Sequence, residues 1–214
     1  TGRLNMNGGF LLVKSTNTAS DSTYSALKVA GTDSNYYNVA SSLAQAASTG
    51  SGKSGLKKLA PADLSTYDYI QIGDFVEIGG TTVRSGYSIT ASGTVSSGNY
   101  GTGSIYYSNG VLTINQFNYV TDTHRGIEAY KDVTMKVTGD SSIVVTGSYY
   151  GVVIYGNVTL TGTEKLTSSS NSNGMCVYGS MTVSGPEVVA NGNNNAVSGL
   201  YISGNLTVNS GMVT

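Results

Sequence analysis

Apolar and polar residues alternate along the C-terminal half of this chain, and the alternation recurs in blocks. Written from each leading glycine, the blocks read GIEAYKDVTMKVTGDSSIVVTGSYY, GVVIYGNVTLTGTEKLTSSSNSN, GMCVYGSMTVSGPEVVANGNNNAVS and GLYISGNLTVNSGMVT. A fixed period of this size is the signature of a solenoid. Aligned on Gly126, Gly151, Gly174 and Gly199, the next positions pair as Ile127, Val152, Met175 and Leu200. Two residues on come Ala129, Ile154, Val177 and Ile202. Apolar residues at i and i+2 share one face of a strand, here the interior. A second strand places Met135, Val158, Met181 and Leu206 inward, then Val137, Leu160, Val183 and Val208. A third apolar site holds Ile143, Leu166, Val189 and Val213. Three strand-like pieces per rung of about 23–25 residues predict an all-β, three-sided parallel β-helix. Equivalent residues would stack about 4.8 Å apart. The usual preference of parallel crossovers makes the expected coil right-handed.

The outward positions line up as well. Thr113, Lys136, Thr159, Thr182 and Thr207 form one polar column, and Asn115, Thr138, Thr161, Ser184 and Asn209 a second. Tyr107, Tyr130, Tyr155 and Tyr178 close the first strand of successive rungs as a tyrosine ladder. Like side chains stacked across strands share packing and hydrogen bonds.

The rungs are clearest over residues 103–214, and strand alternation already begins near residue 69. Residues 1–31 read as solenoid too. TGRLNMNGGFLL at the start aligns without gaps to SGNLTVNSGMVT at 203–214, with Gly2, Leu4, Asn7 and Gly9 identical. Leu4, Met6 and Phe10 thus correspond to Leu206, Val208 and Met212. Neither end carries the polar, atypical unit that caps a free-standing solenoid. An uncapped end exposes unpaired backbone groups and invites another chain. The expected partner is therefore the chain itself, as an end-to-end homopolymer or a tandem array, joined through these six residues. Residues 32–68 interrupt the pattern and read as a loop insertion within one domain spanning 1–214, with a short helix over Tyr37–Ala47.

Composition narrows the possible chemistry. Charged residues are 11% of the 214 and the net charge is −1, so nothing resembles the basic stripe of a nucleic-acid-binding protein. No apolar run has the length of a membrane span. Cys176 is alone, so no internal disulfide forms, and it reads as a small strand residue. The chain starts at Thr1 without a signal peptide, which reads as a mature or excised piece.

Several motifs compete with a purely structural reading. Ala47–Ser54 (ASTGSGKS) fits a relaxed phosphate-binding loop, but lacks the buried strand before it and the helix after it. Asp122, His124, Arg125, Glu128 and Asp132 form the one charged cluster, which a polysaccharide lyase would need on a strand face. It does not recur on adjacent rungs, and a solvated corner is the simpler account. Glu164 and Glu187 align as stacked carboxylates. The Thr-x-Thr face invites an ice-binding reading that Lys136 and Asn115 interrupt, and the sequons at Asn157 and Asn205 fall within the ladders. No metal, cofactor or catalytic residue is expected. The tyrosine ladder is the candidate polysaccharide-binding surface, since its rings would offer sugars a platform.

The run GYSITASGTVSSGNYGTGSIYYSNGVLTINQFNY, followed by the VTLTG and GNLTV rungs, resembles the Gly/Thr-rich right-handed β-helix domains of large secreted and surface proteins of anaerobic, gut-type bacteria. The resemblance covers residues 86–214, and 1–31 more weakly. It implies a pectate-lyase-like architecture without that family's catalytic pattern, and an extracellular or cell-surface setting. The expected role is that of a non-enzymatic module of an extracellular fibre or array. An adhesive carbohydrate-binding module is the alternative.

Overall fold

The computed structural model describes residues 10–14, 43–47, 56–57, 69–99, 101–194 and 197–214, with side chains from residue 74 onward. The chain divides into two compact units, Thr1–Asp74 and Phe75–Thr214. No helix occurs among the described residues.

The first unit contributes a four-stranded sheet of β1 (Phe10–Lys14), β2 (Leu43–Ala47), β3 (Leu56–Lys57) and β4 (Tyr69–Gly73), in the order β1-β4-β2-β3. All three of its pairings are antiparallel. Two expectations change here. The stretch read as a helix ends in a strand, since Leu43–Ala47 pairs with Tyr69–Gly73; neighbouring strand edges outweigh a weak local helix propensity. Phe10–Lys14 also runs antiparallel to β4 instead of lying in a parallel coil. Leu4, Met6 and the phosphate-loop-like stretch after Ala47 lie outside the described residues.

The second unit is a parallel β-solenoid of about four turns. It opens with antiparallel strands: β5 (Phe75–Ile78), β6 (Thr81–Arg84), β7 (Tyr87–Thr90), β8 (Val95–Ser97) and β9 (Ser104–Ser108). The first coil follows as β10 (Val111–Asn115), β11 (Asn118–Thr121) and β12 (Ile127–Ala129). The second is β13 (Val133–Gly139), β14 (Ser141–Val145) and β15 (Val152–Ile154), and the third is β16 (Val158–Gly162), β17 (Lys165–Ser170) and β18 (Met175–Val177). In the fourth, β19 (Met181–Gly192) covers two sides before β20 (Leu200–Ile202), and β21 (Leu206–Val213) begins the next turn. From β10 onward each strand pairs in parallel with its equivalent one coil away. Parallel pairing therefore starts at Val111, later than the alternation from residue 69 predicts.

One continuous core fills the coils. Val133, Val158 and Met181 form one inward column and Met135, Leu160 and Val183 the next, all nearly inaccessible to solvent. This corrects the expected register, which put Met135 over Val158. The shift also alters the outward face: Thr134, Thr159, Thr182 and Thr207 form an unbroken threonine column, and Lys136 lies over Thr161. At the third site Val188, not Val189, is buried beside Leu166, and Ile143 stacks on Ser168. Inward serines are tolerated because each finds a local acceptor, as buried polar groups must. Ser141 Oγ donates to the Gly139 carbonyl at 2.7 Å and Ser168 Oγ to that of Gly174 at 2.6 Å.

The corners stack through hydrogen bonds that climb from coil to coil. The backbone N–H of Asn157 donates to Asp132 Oδ1 at 2.7 Å, that of Ser180 to Asn157 Oδ1 at 2.9 Å, and that of Asn205 to Ser180 Oγ at 3.2 Å. Each corner side chain thus accepts the N–H of the next.

Candidate functional site

Two places in the solenoid depart from simple stacking: one side wall and one end. On the wall, alternation assigns Glu128, Val153, Cys176 and Tyr201 to the outer face of β12, β15, β18 and β20, in register. Glu128, Val153 and Cys176 are nonetheless buried, so these short strands are covered on both faces.

Tyrosine rings account for much of this layer. Tyr130 stacks on Tyr155 with centroids 4.2 Å apart, and Tyr155 on Tyr178 at 4.9 Å and 4°. The second separation is close to the strand spacing itself. The series then breaks: Tyr201 meets Tyr178 at 5.8 Å with the planes tilted 57°. Tyr201 comes from a position two residues earlier in its rung than the other three, which explains why its ring leans across.

Beside the tyrosines Arg125 Nη1 forms an ion pair and hydrogen bond with Glu128 Oε1, and the Arg125 guanidinium carbon sits 5.8 Å from the centre of the Tyr150 ring. Burial pushes the Glu128 carboxyl above the ordinary range, with Arg125 and a hydrogen bond from Tyr130 pulling it back. Burial and then the Glu128 charge push the Tyr130 hydroxyl far above its usual value. Burial is the largest single influence on Arg125 and opposes its charge, but Glu128 together with Tyr155 and Tyr130 outweighs it and the guanidinium pKa is raised. The Cys176 thiol is pushed up by burial, so it stays protonated and is a poor nucleophile. Tyr178 is raised first by its hydrogen bond with Cys176 and then by burial. Across β5, Glu77 pairs in register with Glu128 and is itself buried; Thr82 Oγ1 donates to it at 3.4 Å.

The sequence-predicted residues divide as follows. Tyr130, Tyr155 and Tyr178 do form a ladder. Tyr107 does not join it: it lies in β9, opposite Leu112 in the other sheet, fully buried, with Lys131 Nζ 4.9 Å from its ring centre. Both ring faces of Tyr155 are taken by its neighbours, so the middle of the ladder presents no open platform. The charged cluster separates. Arg125 and Glu128 pair, Asp132 caps the Asn157 corner, and His124 Nδ1 shares a 2.9 Å hydrogen bond with Thr123 Oγ1. Glu164 and Glu187 are not stacked: Glu187 sits opposite Lys165, with a 3.0 Å ion pair, and Glu164 accepts a bond from Thr163. No group of three or more His, Cys, Asp or Glu side chains among the described residues is placed to hold a metal. Glu77, Tyr150 and Tyr201 escape sequence reasoning. Glu77 reaches Glu128 only through an antiparallel pairing that no repeat encodes.

The two ends of the coil stack differ. At the beginning, β9 pairs antiparallel with β10 and β5 with β12. Two of the three sides of the first coil are thus covered by a cap that the sequence did not announce. At the other end, β20 and β21 pair only with the coil before them among the described residues. Leu206 and Val208, which continue the columns of Met181 and Val183, are each 46% exposed where those two are 0%. Met212 is 51% exposed but lies over Glu187, while Val213 takes the place above Val188.

Comparison with family models, with curated proteins and with solved structures finds no match for this chain. No helix among the described residues is long and apolar enough to cross a membrane.

Proposed function

We propose that the chain is a non-enzymatic structural module of an extracellular fibre or surface array, extended by stacking on the open end of its solenoid. The observation that carries this reading is the exposure of Leu206 and Val208 at the top of columns that are otherwise dry. The extracellular setting rests on the resemblance of the Gly/Thr-rich rungs to β-helix domains of secreted and surface proteins. Covering the exposed half of each of these two side chains is worth about 1 kcal/mol apiece. That is too little to offset the roughly 4–15 kcal/mol lost in translation and rotation. Assembly through this end therefore needs the backbone ladder of β21 to be paired as well, at about 1 kcal/mol net per bond. Light scattering across a concentration series tests the reading. Mass should grow with concentration, and Leu206→Asp should hold the chain monomeric with its circular dichroism unchanged. Growth indifferent to Leu206→Asp would refute it.

A second reading is favoured by one observation: Tyr178 and Tyr201 remain 43% and 42% exposed where the ring stack opens. A polysaccharide would bind there as a carbohydrate-binding surface, not along the closed rings of Tyr130 and Tyr155. A glycan array with hits that Tyr201→Ala abolishes supports it, and an empty array removes it.

A further inference from the structure

The tyrosine series contains two kinds of ring contact, and they differ in the chemistry they allow. Tyr130, Tyr155 and Tyr178 lie face to face, at 4.2 Å and 26° and then at 4.9 Å and 4°. Tyr178 and Tyr201 do not: their centroids are 5.8 Å apart and their planes are tilted by 57°. The two rings come from adjacent coils, since β18 pairs in register with β20. Both are open to solvent, at 43% and 42%, whereas Tyr130 and Tyr155 are part-buried.

We propose that Tyr178 and Tyr201 are the site of an oxidative modification, a dityrosine bond formed when hydrogen peroxide and a haem peroxidase supply the one-electron oxidant. Each phenol gives up one electron and its hydroxyl proton. The two radicals join through the ring carbons beside their hydroxyls. Each joined carbon then releases its hydrogen to the phenolic oxygen, which restores both phenols. The two electrons and two protons reduce one peroxide to two waters. Rings joined in this way lie edge to edge and are twisted, because the groups flanking the new bond clash when coplanar. A face-to-face pair reaches that arrangement only by unstacking, and Tyr155 has a ring on each face. The tilted pair is already twisted, and Tyr201 stacks on no other ring among the described residues. Exposed side chains change rotamer within picoseconds to nanoseconds, so Tyr201 is free to swing its edge to Tyr178. The bond would tie the third coil to the fourth where the wall strands are only three residues each. Like any covalent loop closure, it would restrict the unfolded chain. It requires neither stacking nor sugar binding.

Peptide mapping tests the assignment. The dilute chain is treated with a haem peroxidase and hydrogen peroxide, and the band of single-chain mass is cut from a denaturing gel. Cleavage after glutamate separates the two rings: Tyr178 is the one tyrosine of residues 165–187, and Tyr201 the one tyrosine of residues 188–214. The expected product is these two peptides joined, lighter than their sum by two hydrogens and carrying dityrosine fluorescence. It should be lost in Tyr178→Phe and in Tyr201→Phe, each confirmed folded by circular dichroism. It should persist in Tyr149→Phe, which removes a ring of similar exposure, 44%. Cys176 hydrogen-bonds Tyr178, so its thiol is followed in the same digest. No joined peptide, a joined peptide found only in bands of more than one chain, or oxidation of Cys176 in its place would overturn the proposal.

Discussion

At the scale of single residues, the coil below decides what a position tolerates. Gly162 has φ +108°, and a Cβ would lie 1.9 Å from the Val137 carbonyl oxygen. Gly162→Ala should therefore cost about 1–3 kcal/mol in backbone strain and more from the collision. Gly98 has φ +87° with nothing within 4 Å, so Gly98→Ala should cost only the strain, about 1–2 kcal/mol. Urea unfolding of the two variants checks the order; equal losses would mean that close coil contact is not what selects glycine at 162. The core makes a parallel contrast. Leu160→Ala should cost about 2–5 kcal/mol, whereas Leu206→Ala in a dilute, single chain should cost about 1 kcal/mol or less. Glu128 adds a pH dependence. Burial, partly offset by Arg125, raises its folded pKa above the ordinary carboxylate value, so the folded chain holds that proton more tightly than the unfolded one. The resulting stability is complete below the unfolded value and is lost as pH rises through the folded one. Glu128→Gln removes this term. The wild type should lose stability relative to the variant as pH climbs through that window; parallel melting curves would contradict it.

At the scale of elements, what repeats was legible and what occurs once was not. The inward pairs of β12, β15 and β18 follow directly from Ile127–Ala129, Val152–Ile154 and Met175–Val177, because period-two alternation fixes the face. The register of β13 on β16 was misread by two residues. Alternation survives such a slip unchanged, so Met135 over Val158 and Met135 over Leu160 satisfy the same pattern. Only the corner, where Asp132 holds Asn157, decides between them. The slip mattered, since it hid the continuous column Thr134–Thr159–Thr182–Thr207. The antiparallel cap was illegible for a different reason. β5 to β9 have the alternation of coil strands, and strand direction comes from short turns, such as Gly79–Gly80, that a rung alignment passes over. The same gap concealed the Glu77–Glu128 neighbourhood. Tyr107 was misassigned because alignment matched its place in a rung, while its strand belongs to the cap and packs inward against Leu112. Of the wall, the tyrosines were readable; the layer that buries Cys176 and Val153 was not.

At the scale of the whole molecule, the two ends of the coil stack differ: β9 and β5 cover two sides of the first coil, while Leu206 and Val208 over the last are each 46% exposed. We propose that assembly proceeds by stacking on that half-exposed coil. Cryo-electron microscopy of the intact chain at high concentration tests this most directly. Stacking predicts filaments with parallel strands about 4.8 Å apart running across each junction, with Leu206 and Val208 covered. Dispersed single chains under those conditions, or filaments whose junctions leave Leu206 and Val208 exposed, would contradict it.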